Sequence, residues 1–408
     1  MQPDGFVLRL LILIQLISMA AMEMSGPFWP LRIQTLLGNE GVRYIGMLSA
    51  MLYAGPLLTA MAFTPLWGKL GDRVGHKSMI VRALLALALC QALAAIVTDV
   101  WLLIVIRAAQ GGLAGFIAAA QAYAMTCCAE GSRGKTLAGL QSATAIGSLV
   151  GPIMGGWMIQ TQGFAALCYS AATICLLCAM LSLFLTDKPI RARSAKVFVA
   201  TSLPKNWLFA LLAMIVLIQA AKVMPQPFYA LYVSDILHGT PWLIGISYAA
   251  SAATLAITAP LWGRLFDRRS PMQTLHVIEW VTWLCAATLA ISTLATEWAG
   301  FIICRLLWGA WQGALLPVAY ALIANTLPLE QQGFALGLGN SAAKAGALCG
   351  VVIGGVGISI VGLEHGFWLI AITYALAALG IRTLRLLLRT PAPASARPAF
   401  HPPEKIQP

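Results

Sequence analysis

The chain has 408 residues, of which 60% are apolar and only 10% charged, against roughly 25% charged in an ordinary soluble domain. That composition excludes a soluble globular protein and places the chain in a membrane. Its formal net charge of +12 reads as an orientation signal and as contact with anionic lipid headgroups, with no nucleic-acid partner required.

Apolar segments recur at residues 7–31, 44–66, 78–98, 101–125, 136–158, 164–185, 207–231, 241–262, 272–294, 299–325, 334–360 and 366–388, and a spanning helix needs about 20 residues. The expected fold is all-α and integral to the membrane, with twelve transmembrane helices. Alternating ten-residue strands are absent, which argues against a barrel. The first segment has no basic n-region, since Asp4 is the only charge before Arg9, so it reads as a helix and not as a signal peptide. With the N-terminus inside, inside loops, helix ends and tails hold 20 of the 26 basic residues and outside loops hold only Arg32 and Arg43. Both termini are therefore expected to be cytoplasmic.

In the first half, Glu23 lies about 24 Å into its helix at 1.5 Å per residue, a depth at which a carboxyl is a candidate proton carrier. PFWPL follows at 27–31, then PLWGKLGDR at 65–73, then Arg107 with Gln110 and Gly111 in the fourth segment. The stretch AEGSRGKT at 129–136 approaches a phosphate-binding loop, but Ala129 stands where its first glycine should be and no strand precedes it. It reads as a basic inter-helix loop, and an ATPase is not expected. GSLVGPIMGG at 147–156 sets Gly147, Gly151 and Gly155 on one helix face, with Pro152 able to bend the helix and Gly156 completing the motif; a rocking interface is expected there. Cys168, Cys175 and Cys178 share the sixth segment without His or carboxylate at metal-ligand spacing, so no metal site is expected.

The second half repeats the first. PFYAL at 227–231 follows PFWPL by 200 positions, PLWGRLFDR at 260–268 follows its partner by 195, and Arg305 follows Arg107 by 198. The chain should thus form two pseudo-symmetric six-helix bundles, at 1–187 and 207–390, joined by a basic cytoplasmic linker at 188–206. A Pro-rich tail at 391–408 is expected to be disordered. In the seventh segment Lys222 shares a face with Gln219 and Gln226, and in the eleventh Lys344 follows Asn340 by one turn. These are the expected substrate-cavity residues, with Trp308, Trp311, Tyr229 and Phe228 as candidate apolar walls. Glu279 is shallower and reads as a partner for nearby basic residues.

GKLGDRVGHK at 68–77 resembles the signature of the major facilitator superfamily, with His76 where that family usually has Arg. Gly263, Asp267 and Arg268 form the degenerate second copy. The resemblance implies that Gly68, Asp72, Arg73 and Gly75, with that copy, act as a conformational latch between the halves. It implies proton coupling for the Arg107 element and antiport for the glycine motif, a cavity-lining first helix and a peripheral ninth. The closest branch in motif content is that of drug:proton antiporters. The expected activity is proton-coupled export of a small molecule by alternating access, without enzymatic activity or cofactor, by a monomer in a bacterial inner membrane whose partners are substrate, protons and lipid. Alternatives are a dedicated exporter of an anionic metabolite such as a carboxylate siderophore, uptake, and a non-transporting receptor or scaffold. Arg107, Lys222 and Lys344 against Glu23 alone favour an anion, unless Glu23 and Lys222 neutralise each other.

Overall fold

The computed structural model describes residues 3–38, 44–128, 132–186, 205–266, 269–315 and 332–389. Most of the 188–206 linker, all of the 391–408 tail, Arg43, Asp267 and Arg268 lie outside them. Among the described residues the structure is helical, without strands. In chain order the helices are α1 (Pro3–Met24), α2 (Trp29–Leu37), α3 (Ile45–Val74), α4 (His76–Ile96), α5 (Val100–Leu113), α6 (Phe116–Cys127) and α7 (Arg133–Ser182). Then follow α8 (Lys205–Val223), α9 (Pro241–Phe266), α10 (Pro271–Ser292), α11 (Trp298–Gln312), α12 (Gln332–Val361) and α13 (Gly366–Arg389).

Helix breaks have local causes. The first apolar segment is cut between α1 and α2 by a 3₁₀ turn at Gly26–Phe28, where Pro27 cannot donate to the ladder. The fourth is cut at Ala114 and Gly115; Trp67 Nε1 donates to Gly112 O at 2.6 Å and Arg82 Nη2 to Ala114 O at 2.8 Å, which satisfies carbonyls freed by the break. Helix α7 spans 50 residues and bends at Gly163 (φ 87°, ψ 174°). A straight rod of that length would reach about 75 Å, more than twice the roughly 30 Å hydrocarbon layer. Gly163 allows the reversal because it lacks a Cβ. Among the described residues, nine helical runs are long and apolar enough to cross a membrane.

The sequence duplication is repeated in backbone contacts. Gly147, Gly151 and Gly155 of α7 rest on α1 at Leu16, Ala20 and Met24; Gly346 and Gly350 of α12 rest in the same way on α8 at Val216 and Ala220, and Gly354 on Met224 just past its end. Gly111 of α5 meets Pro56 of α3 as Gly309 of α11 meets Ser251 of α9. Small residues let helices approach where lipid gives no hydrophobic drive to association.

Among the described residues, the close contacts between the two halves gather at one end. Gly156 of α7 packs on Pro241 and Trp242, Gly245 of α9 on Pro152, and Gly355 of α12 on Gly46 and Ala50. Gln34 Nε2 donates to Asp235 Oδ2 at 2.9 Å, and Trp242 N to Gln160 Oε1 at 3.3 Å. All of these lie away from the turn at Gly75 that joins α3 to α4. Toward that turn, the basic end, the same four helices carry exposed residues: Phe63, Leu66 and Leu70 on α3, Gln141 and Ser142 on α7, Leu261 and Leu265 on α9, Asn340 and Lys344 on α12. One buried apolar cluster accordingly runs across both halves, from Phe28 and Trp29 to Phe228 and Phe367, while α1, α4, α6 and the second arm of α7 enclose a separate one in the first half alone.

Candidate proton and substrate site

Glu23 occupies the last turn of α1, half-buried, just before the break that Pro27 imposes. A Cβ added to Gly151 of α7 would lie 2.9 Å from that of Glu23, and one added to Gly26 the same distance from its Oε2. Among the described residues, Arg107 of α5, Tyr53 of α3 and Tyr248 of α9 lie within electrostatic reach of it. Arg107 does not close an ion pair with Glu23. It donates from Nη1 to Gln110 Oε1 at 2.5 Å and lies over the Trp29 ring at 4.5 Å, so the motif Arg107-Gln110 is a hydrogen-bonded unit stacked on the PFWPL aromatic. Tyr53 donates its hydroxyl to Gly26 O at 2.6 Å.

The second half repeats this arrangement without the acid. Arg305 lies over Tyr229 at 4.7 Å and Trp308 at 4.4 Å and donates to Ser251 Oγ at 2.8 Å. Tyr248 follows Tyr53 by 195 positions, and Gln226, which follows Gly26 by 200, lies within hydrogen-bonding reach of its hydroxyl. Val223 stands in the place of Glu23, and Lys222 in that of Met22. Lys222 ends α8 as Glu23 ends α1, half-buried and without an acidic partner among the described residues. The free carbonyls of a helix C-terminus favour a cation there. Gln219, one turn earlier, has a buried Oε1 with no hydrogen-bond partner. Glu23 and Lys222 therefore do not neutralise each other by contact; the cation in reach of Glu23 is Arg107.

The profile of the Major Facilitator Superfamily matches residues 11–278 and 211–407. The chain belongs to this superfamily. It is 29% identical over 389 residues to the staphyloferrin B transporter of Staphylococcus aureus, covering 91% of each chain. It is 28% identical over 370 residues to the multidrug resistance protein MdtG of Serratia proteamaculans, covering 88% of each. An uncharacterized transporter of Bacillus subtilis, YuxJ, is 30% identical over 355 residues, with 83% of this chain and 88% of that one covered. Among solved structures, the fold matches a bacterial homolog of the human lysosomal transporter Spinster, in its inward-facing, unoccupied conformation, with a TM-score of 0.77 at 12% identity over 97% of this chain and 100% of that one.

The superfamily signature sits on the α3–α4 turn. Gly75 has φ 98°, a conformation that favours glycine. Asp72 is exposed, and its ion-pair partner among the described residues is His76, at 3.7 Å; Arg73 is exposed, and neither Gly68 nor Gly263 has a neighbour where a Cβ would stand. The glycine motif, expected as a rocking interface, makes two kinds of contact. Gly147, Gly151 and Gly155 serve the α1–α7 contact inside one bundle, because their shared face points to α1, and only Pro152 and Gly156 meet the other half.

The expected aromatic walls are also placed differently. Phe228, Tyr229 and Trp308 are buried among Phe301, Phe367 and Arg305, and Trp311 is half-buried against Trp262. Gln226 is half-buried, whereas Asn340 and Lys344 are exposed on α12 toward the basic end. Arg32, expected in a loop, is held in α2, where it donates to Val97 O at 2.8 Å. Glu279 forms a buried ion pair with Arg385 of α13 at 2.9 Å, and Arg385 also contacts His276. The acid in the ninth segment thus joins α10 to α13. Sequence reading passed over Tyr53 and Tyr248; the offset of 195 that relates the PLWG repeats was the signal that pairs them.

Proposed function

We propose that the protein is a secondary active transporter that exports a small molecule in exchange for protons by alternating access. The observation that carries this reading is the position of Glu23: a carboxyl beside the contact of the two halves, within electrostatic reach of groups from both. A conformer joined at one end and exposed at the other is one of the two that alternating access requires. With the basic end cytoplasmic, it is the inward-facing one.

Twelve spans are supported by arithmetic on the described residues. Nine runs qualify, the 49-residue run Gly134–Ser182 is long enough to pass twice, Leu208–Val223 of α8 is a shorter apolar helix, and the 15-residue α11 falls in the tenth apolar segment. Export is supported by the relatives named as multidrug resistance proteins. A bacterial inner membrane suits their sources. We read the protein as a monomer whose partners are substrate, protons and lipid, with no cofactor.

An anionic metabolite is the second reading, favoured by Lys222, whose ammonium has no acidic partner among the described residues. The relative named as a staphyloferrin B transporter fits it. In inside-out vesicles under an imposed pH gradient, screened with lipophilic cations, neutral drugs and polycarboxylates, the wild type should accumulate its substrate. Glu23→Gln should cut gradient-driven accumulation at least about tenfold, a change of about 1.4 kcal/mol, and leave energy-independent exchange, because the amide copies the protonated acid. Accumulation retained by Glu23→Gln would move the proton to another residue.

A further inference from the structure

Two packing contacts link Glu23 to the other half. Glu23 lies on Gly151; the next residue of α7, Pro152, lies with its carbonyl against Gly245 of α9; and Tyr248 is one turn beyond Gly245. The close approach of α1, α7 and α9 thus brings an N-half carboxyl and a C-half phenol to one junction.

The hydrogen-bonding positions of the neighbours select among them. Arg107 gives Nη1 to Gln110, and Tyr53 gives its only hydroxyl proton to Gly26 O. Helix α7 presents Gly151 and Pro152, which carry no charge, so among the described residues Arg107, Tyr53 and Tyr248 are the titratable or charged groups facing Glu23. A phenol both donates and accepts. An amide N–H of Gln226 can fill the acceptor position of Tyr248, which leaves the phenolic proton for a carboxylate. The Tyr248 ring is held edge-on to Tyr229 at 5.4 Å. Since Val223 replaces the acid in the second half, the arrangement works in one direction only: the C-terminal half reads a charge that the N-terminal half carries.

We propose that Tyr248 is the residue through which the C-terminal half senses Glu23: the ionised carboxylate accepts the Tyr248 hydroxyl across the junction, and this bond holds the unloaded carrier closed at its far end. The inference rests on the proton-coupled reading above. A proton on Glu23 removes the strong acceptor, and a substrate bound at the junction competes for the same groups. Either ligand releases the bond, whereas the empty carrier keeps it. An exchanger requires that behaviour, because a carrier that switches when empty lets each ligand run down its own gradient. A charge-assisted bond of this kind is stronger than a neutral one, and a coupling of about 1–3 kcal/mol corresponds to roughly 5–150-fold in the switching equilibrium.

The test uses protons as the probe and needs no substrate. Purified full-length protein is reconstituted in liposomes loaded with a pH-sensitive dye, and decay of an imposed pH gradient is followed. Tyr248→Phe should raise the substrate-free proton leak at least about fivefold over wild type. Gln226→Leu, which frees the hydroxyl to turn away, should raise it in the same direction. The double variant Glu23→Gln, Tyr248→Phe should return to the wild-type baseline, because the leak needs the carboxyl. A merely structural tyrosine would not give this rescue. Leak unchanged in both Tyr248→Phe and Gln226→Leu, or leak persisting in the double variant, overturns the proposal. If Glu23→Gln alone keeps pH-driven export, the coupling reading fails and the inference falls with it; if Glu23→Gln uncouples while Tyr248→Phe stays tight, only the link at Tyr248 fails.

Discussion

Arg107 and Arg305 show how a guanidinium is kept within a bundle of apolar helices. Each lies over the aromatic residue of its own PF-x-x-L motif, Trp29 at 4.5 Å and Tyr229 at 4.7 Å, with further hydrogen bonds to Gln110 and to Ser251. A desolvated cation–π contact is worth about 2 kcal/mol or more, which offsets part of the cost of the missing water. Lys222 has no such provision among the described residues, neither an acid nor a ring beneath its ammonium. That contrast separates cations that the fold satisfies from one without a partner among the described residues. Lys222→Ala should therefore weaken binding of carboxylate-bearing compounds about tenfold or more, as expected for loss of a partly buried charge pair, and leave neutral and cationic compounds within about twofold. Lys344→Ala, at an exposed position, should have the smaller effect of the two. Competition binding against the purified protein measures both, and cations competing best in the wild type would reverse the anion reading.

Glycine spacing gives each element a different role within one motif. A Cβ on Gly151 would stand 2.5 Å from Ala20 O and 2.9 Å from Glu23 Cβ, whereas one on Gly134, in the same helix, meets nothing within 4 Å. Gly139, which lies outside the motif, is no neutral control, since Ile12 Cδ1 is 3.1 Å from its Cβ position. Gly151→Val should displace α1 and Glu23 together, at the roughly 1–3 kcal/mol of an overpacked contact. It should abolish transport and lower thermal stability, while Gly134→Val keeps both; equal losses would leave the glycine without a special place. The helices, their repeat and their charged residues were legible because an acid or base in an apolar run is conspicuous and a duplication repeats its offsets. What α7 packs against was not. Gly147, Gly151 and Gly155 define a smooth face from spacing alone, but only the fold shows that α1 fills it and that the other half begins at Pro152 and Gly156. Tyr53 and Tyr248 were hidden for a similar reason: a tyrosine among apolar residues carries no mark of its partner.

At the scale of the whole molecule, the superfamily signature and the junction lie at opposite ends. Contacts between the halves collect around Gly46, Gly156, Pro241 and Gly355, with Gln34 bonded to Asp235, while Asp72 at the basic end is exposed and paired, among the described residues, only with His76 across the α3–α4 turn. A residue that stabilises the conformer closed at the basic end should show few partners in one open there, and Asp72 fits that description. Asp72→Asn should therefore act on the equilibrium and not on folding. A coupling of about 1–3 kcal/mol would move the balance roughly 5–150-fold toward the conformer described, in which the far end is closed. Cysteines placed at Gln34 and Asp235, whose side chains meet at 2.9 Å, report that state by crosslinking. Asp72→Asn should raise their crosslinking yield and lower transport at least about fivefold, with expression and thermal stability near those of the parent. Parental flux and unchanged crosslinking would remove the latch role from Asp72, whereas loss of flux with lower crosslinking would mean that Asp72 supports the conformer open at the basic end instead of its counterpart.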